Sequence, residues 1–322
     1  MRIKNLFSSV LYNQNFKKLL KDAEAGDLYI QNKIADMYRV GTYVSKDYSE
    51  AVYWYERAAS SGYIPAQTNL AQMYENGLGV KRDYDKAIYW YEMAAKKSDL
   101  IAQNSLGWIY ERGLGVEVDY IEAYKWYKIA SLSNDPSAIY FLGMMHKEGR
   151  GVSQDPTISF EYFSKASEMD YPPAMTELAL MYQAGIDIDI NRTKAFKLLQ
   201  KSADMGYPLA HAYLAQSFEH KKDYASALKH YKIALESDIS VAYNSLGLMF
   251  GLGQGVEKDA MISYALLELA SDYGHKEADE IKEIISKGFD DATLEQSRSL
   301  HNNPTKLKEV VFEKIDKVIE QL

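Results

Sequence analysis

Six histidines and no cysteine bound the chemistry open to this 322-residue chain. Without thiols there is no disulfide framework, no thiolate metal site and no cysteine nucleophile, which fits a reducing compartment such as the cytoplasm. The sequence holds no His-Glu-x-x-His, no phosphate loop and no nucleophile elbow. Gly251-Leu-Gly-Gln-Gly255 has the glycine density of a phosphate cradle, but it follows a helical pattern rather than a strand and reads as a turn. Asp187-Ile-Asp189-Ile-Asn191 opens like a calcium loop, yet Arg192 stands where glycine is needed and Leu198 where a bidentate glutamate belongs. His146 replaces a tyrosine of the surrounding pattern and reads as a packed side chain. His211, His220 and His230 share one irregular stretch, and their spacing alone does not converge them on a metal. The expectation is no catalytic residue, no cofactor and no metal.

The elements that would have to position any site come from a repeated block. Tyr74, Gly77, Gly79, Val80, Asp83, Ala87, Trp90, Tyr91 and Ala94 recur 36 residues later as Tyr110, Gly113, Gly115, Val116, Asp119, Ala123, Trp126, Tyr127 and Ala130. Most of them recur 36 residues earlier as well, as Tyr38, Gly41, Val44, Asp47, Ala51, Trp54, Tyr55 and Ala58. Before Gly77 the apolar residues Ala66, Leu70, Met73 and Tyr74 share one helical face; after Asp83, Tyr84, Ala87, Ile88, Tyr91 and Ala94 share another. Each block is therefore a helical hairpin. Gly77 ends the first helix in a left-handed conformation, Gly79 lets the chain turn back closely, and Asp83 caps the second helix. A hairpin this small cannot bury enough surface to stand alone, so the period predicts a stacked array.

The repeats run over about 26–61, 62–97, 98–133, 134–169, 170–205, 206–237 and 238–273, the sixth being four residues shorter with a tight inter-helix loop. Residues 1–25 are expected to form an N-terminal capping helix, and residues 274–322 C-terminal capping helices. Within the latter, Leu307, Val311, Ile315, Val318 and Leu322 form one apolar stripe. That stripe suits a cap on the last repeat; the alternatives are a tail that lies in the groove or self-association through this helix.

The pattern Ala-x-x-x-Leu-(Ala/Gly)-x-x-Tyr-x-x-Gly-x-Gly-Val, then Asp-x-x-x-Ala-x-x-Trp-Tyr-x-x-Ala-Ala, resembles the Sel-one-like repeat family of tetratricopeptide-like α-solenoids over residues 26–273. The resemblance implies an all-α, right-handed superhelix whose first helices line a concave face. It also implies a non-enzymatic role as adaptor, regulator or inhibitor of another protein; some bacterial relatives are immunity proteins against toxins. Cysteine-rich relatives depend on disulfides, which this chain cannot form.

A net charge of −8 argues against nucleic acid, since phosphate binding needs a concentrated basic surface. No run reaches the ~20 apolar residues of a membrane span. The expected partner is a protein or peptide. On the first helices, Thr68, Gln72 and Glu75 of the second repeat should face solvent, but the positions matching Gln72 become Trp108, Met144, Leu180 and Leu248, with Tyr140 one turn before Met144. Such an apolar line predicts a contact site, flanked by Asn104, Glu111, Lys147, Gln183 and Gln216 as hydrogen-bonding groups. The alternative is that the line is core between adjacent first helices. From a different class, an enzyme with a site assembled across repeats is the competing reading.

Overall fold

The computed structural model describes residues 16–186 and 188–320. All regular structure among them is helical. After α1 (residues 16–24) the chain forms seven hairpins: α2 (Leu28–Val40) with α3 (Tyr48–Ser60), α4 (Ile64–Asn76) with α5 (Tyr84–Ala95), α6 (Leu100–Arg112) with α7 (Tyr120–Leu132), α8 (Pro136–Glu148) with α9 (Pro156–Glu168), α10 (Pro172–Ala184) with α11 (Arg192–Asp204), α12 (Pro208–His220) with α13 (Tyr224–Glu236), and α14 (Ser240–Leu252) with α15 (Ala260–Asp272). Helices α16 (Glu277–Ser286), α17 (Asp291–His301) and α18 (Pro304–Glu320) follow. The fold is the expected all-α array of seven hairpins, paired and packed within each unit in the manner of a solenoid. The chain clusters into two compact units, residues 1–162 and 163–322.

The ends of the helices repeat as faithfully as their faces. Gly41, Gly77, Gly113, Gly149, Gly185 and Gly253 close first helices in the left-handed region, each donating its N–H to the carbonyl four residues back. Asp47, Asp83, Asp119, Asp155, Asn191, Asp223 and Asp259 accept backbone N–H groups at the starts of the second helices. The second glycine of the turn does something different. A Cβ on Gly115 would lie 2.3 Å from Tyr84 Cβ, and one on Gly79 2.4 Å from the Tyr48 backbone, so this glycine lets each loop settle on the first residue of the preceding second helix.

In the first unit, Ala66, Leu70, Ala87, Tyr91, Ala94 and Leu106 are fully buried in one continuous core. Its repeats are also joined by polar staples. The Nε2 groups of Gln31, Gln67 and Gln103 donate to the carbonyls of Ala23, Ala59 and Ala95 at 2.8, 3.2 and 3.1 Å. These carbonyls lie at the C-terminal ends of helices, where each also accepts the N–H of the residue three on, from Gly26, Gly62 or Ser98, and the glutamine takes up its second lone pair.

In the second unit the C-terminal helix completes the core. Leu307, Val311 and Ile315 are fully buried, and α18 packs chiefly on α13, α15 and α17. Lys232–Asp316 at 2.7 Å, Lys308–Asp238 at 2.7 Å and Lys314–Asp259 at 3.3 Å tie it down. The stripe that could have served self-association is thus covered within the chain as far as Ile315; Leu322 lies outside the described residues.

Candidate partner-binding face

Each first helix turns its small and aliphatic residues into the core and leaves a narrow strip less covered. On α6 that strip carries Asn104, Trp108 and Glu111, one and two turns apart. Trp108 is 38% exposed, the least covered of the sequence-predicted apolar positions. Asn104 donates to Asp135 at 3.0 Å, while its own Oδ1 is buried with no partner. Glu111 accepts from the Tyr127 phenol at 3.0 Å and from Arg150 at 2.5 Å. On α8, Tyr140 and Met144 are half-buried and Lys147 is exposed; the Tyr140 ring meets Phe141 edge-on, 5.4 Å between centroids.

In the second unit, Leu180 on α10 and Leu248 on α14 are half-buried. Gln183 donates to Ser217 at 3.3 Å and Gln216 to Ser245 at 3.2 Å. Gln183 and Gln216, expected to await a peptide, therefore already link neighbouring first helices. One expectation is corrected: Thr68 is not solvated but 3% exposed. Adjacent first helices lean on each other, as the Asn69–Asn32 bond at 3.1 Å records, and they close over that position.

A feature the sequence reading missed lies under the strip. Tyr91 and Tyr127 of the second helices are fully buried and donate to Glu75 at 2.5 Å and Glu111 at 3.0 Å; Tyr231 does the same to Glu219 at 2.7 Å. Burial first, then the adjacent carboxylate, pushes each of these phenols well above its ordinary range. In the first repeat Arg39 stands at the glutamate position, and Tyr55 donates to Asp36 instead, one turn earlier, at 2.6 Å. The signal was available: where the acid gives way to Lys147, Gln183 or Gly251, the tyrosine position holds Phe163, Leu199 or Leu267.

The histidines sort differently. His146 is buried between Tyr124 and Tyr162 as expected, but its Nδ1 has no partner. His211 and His230 do converge, with Nδ1 atoms 2.8 Å apart and stacked rings; burial lowers both pKa values. His220 lies elsewhere, beside a cleft. Among the described residues no three His, Asp or Glu side chains gather as a metal site would require. Gly253 and Gly255 occupy the turn after α14, as the spacing predicts. Asp187 of the calcium-like stretch lies outside the described residues.

That cleft, about 550 Å³, brings together Gln183, Arg192, Phe196, Gln216, Ser217, His220 and Lys221. Two of its seven, Gln183 and Gln216, are sequence-predicted site residues. The sequence reading also passed over apolar side chains on the second helices. Tyr89, Met93 and Ile129 are 55, 38 and 42% exposed, one turn apart or at matching positions, off the packing stripe.

The profile of the Sel1 repeat matches residues 30–63, 64–99, 100–135, 136–171, 172–207, 208–238 and 240–275. No curated protein matches. A Sel1 repeat protein from Oxalobacter formigenes is 29% identical, with 67% of this chain and 88% of that chain aligned and a TM-score of 0.60. The immunity proteins Pa5087 and PA5088 from Pseudomonas aeruginosa are 23 and 19% identical, over 63 and 69% of this chain and 81 and 82% of theirs, with TM-scores of 0.43 and 0.46. Among the described residues no helix is long and apolar enough to cross a membrane.

Proposed function

The chain belongs to the Sel1 repeat family, and from that premise we propose that it is a non-enzymatic module that binds a polypeptide through the uncovered strip of its first helices. The observation that carries this reading is Trp108. A tryptophan left 38% exposed on a helix whose Ala102, Leu106 and Ile109 are fully buried presents a large, rigid anchor of the kind that dominates protein interfaces. Met144 and Tyr140 are the further apolar positions of the strip in the same unit, and Leu180 and Leu248 stand at matching positions on first helices of the other unit. Asn104 adds a buried acceptor with no partner of its own. The finer role, an adaptor or an inhibitor of a bacterial toxin in the cytoplasm, follows from which polypeptide is captured.

The test is affinity purification from the native cell with the wild-type chain and with Trp108→Ala, followed by titration of the captured protein. The expected result is at least about a tenfold loss of affinity with thermal unfolding shifted by far less than loss of a sealed aromatic would cause. Melting of the variant would instead make Trp108 part of the core. Leu180→Asp is a poorer probe than its position suggested, because Leu180 is half-buried.

A further inference from the structure

The cleft beside His220 owes its existence to the four residues missing from the sixth repeat. In the second, third, fourth and seventh repeats the second turn glycine closes over the first residue of the preceding second helix: Tyr48, Tyr84, Tyr120 and Tyr224 are each approached to 2.3–2.6 Å by the Cβ that Gly79, Gly115, Gly151 or Gly255 lacks. In the sixth repeat α12 ends at His220 and α13 begins at Tyr224, so no such glycine exists. The residue it would have covered, at the start of α11, is Arg192, and it is exposed.

What lines the uncovered space is cationic. Arg192 and Lys221 make no ion pair among the described residues, and no carboxylate lines the cleft. The acids nearest in sequence to Lys221 are Glu219, which accepts from the Tyr231 phenol, and Asp223, whose Oδ1 is engaged by the Ser226 N–H at the start of α13 and whose carboxylate feels the Lys221 charge without pairing to it. Lys221 instead lies 4.1 Å from the Phe196 ring centroid, and Phe196 packs edge-on against Phe218 at 5.3 Å, so the floor is aromatic. Gln183, whose amide donates to Ser217 at 3.3 Å, borders the same space. A bare arginine and lysine over an aromatic floor are unusual on a chain of net charge −8. The fork of an arginine matches a carboxylate, and the ring suits the methylenes or apolar neighbour that come with one.

We propose that this cleft is a receptor for an acidic side chain, Asp or Glu, flanked by an apolar residue in the polypeptide partner. The inference rests on the reading of the chain as a polypeptide binder and assigns one chemical requirement to the ligand.

The probe is a short fluorescent peptide alternating glutamate with phenylalanine, titrated into the full chain by anisotropy beside the same peptide with glutamine for glutamate. The expected result is binding that weakens about tenfold or more for the glutamine peptide, and equally for Arg192→Glu or Lys221→Glu with the glutamate peptide. Both side chains are exposed, so thermal unfolding should not move; Arg192→Gln and Lys221→Ala serve as milder second variants. Trp108→Ala should leave this binding unchanged. Equal binding of the two peptides, indifference to Arg192 and Lys221, or equally strong competition by a single-stranded oligonucleotide overturns the proposal. If capture of the native partner is lost in Trp108→Ala while the peptide ignores Arg192, the cleft fails and the first-helix strip stands. The reverse pattern sinks the strip and keeps the cleft.

Discussion

At the scale of single residues, the buried tyrosines decide how the protein meets alkali. An unfolded phenol ionises near pH 10, whereas Tyr74 is pushed up to about 12 and the deeper Tyr91, Tyr127 and Tyr231 further still, burial being the main cause. A raised folded pKa means the unfolded chain gives up its proton first, so this stabilisation is complete below about pH 10 and drains away as pH climbs above it. Phenolate absorbance from the buried set should therefore rise only together with loss of helical circular dichroism. One smooth titration with helix intact would contradict the pairing of phenols with Glu75, Glu111 and Glu219. Burial of Tyr91 was legible from its place on the packing stripe. Its acceptor was not, because a glutamate on a first helix looks the same whether it faces a guest or a phenol; only comparing columns, acid lost with tyrosine, separates the two.

At the scale of elements, the loops are where small changes should cost most. Gly115→Val combines a φ of +72° with a Cβ that collides with Tyr84, so the left-handed penalty of about 1–2 kcal/mol and an overpacking cost of about 1–3 kcal/mol both apply. Denaturant titration should show the midpoint falling by that sum divided by the slope, with the slope itself unchanged. Gly62→Ala, at a φ of +87° but with nothing within 4 Å, isolates the conformational part and should lose about 1 kcal/mol. The turn glycines were legible in the sequence; the surface beneath the second one was not, since nothing local says that it rests on another repeat's tyrosine. The amphipathic stripe of α18 was equally plain, but a stripe fits a cap, a groove or a second chain alike. Its lysine and aspartate pairings with α13 and the residues flanking α14 decide among them.

At the scale of the whole molecule, each unit has its own core, and stability should be local. Leu70→Ala, at a fully buried site of the first unit, is expected to cost about 2–5 kcal/mol. Hydrogen exchange followed by mass spectrometry should then quicken in α4, α5 and their neighbours while α14 and α15 keep their protection. A uniform rise along the chain would show one cooperative body instead. The number of hairpins was readable from the period, because every repeat restates the same caps and small residues, and their family from the resemblance of the residue pattern. The cleft was harder to see: the shortened loop was visible as a tight turn, but an absence reveals what it uncovers only when the neighbours that would have been covered, Arg192 and Phe196, are in place.

The glutamine staples carry a consequence of their own. Gln31, Gln67 and Gln103 each plug the same kind of socket, a carbonyl near the end of the helix before, whereas Ile139, Met175, His211 and Tyr243 occupy that place later. The opening three hairpins are thus interchangeable parts. A chain lengthened by a second copy of residues 64–99 would arrive with a matching joint on either side, and growth by duplication is easiest at that end.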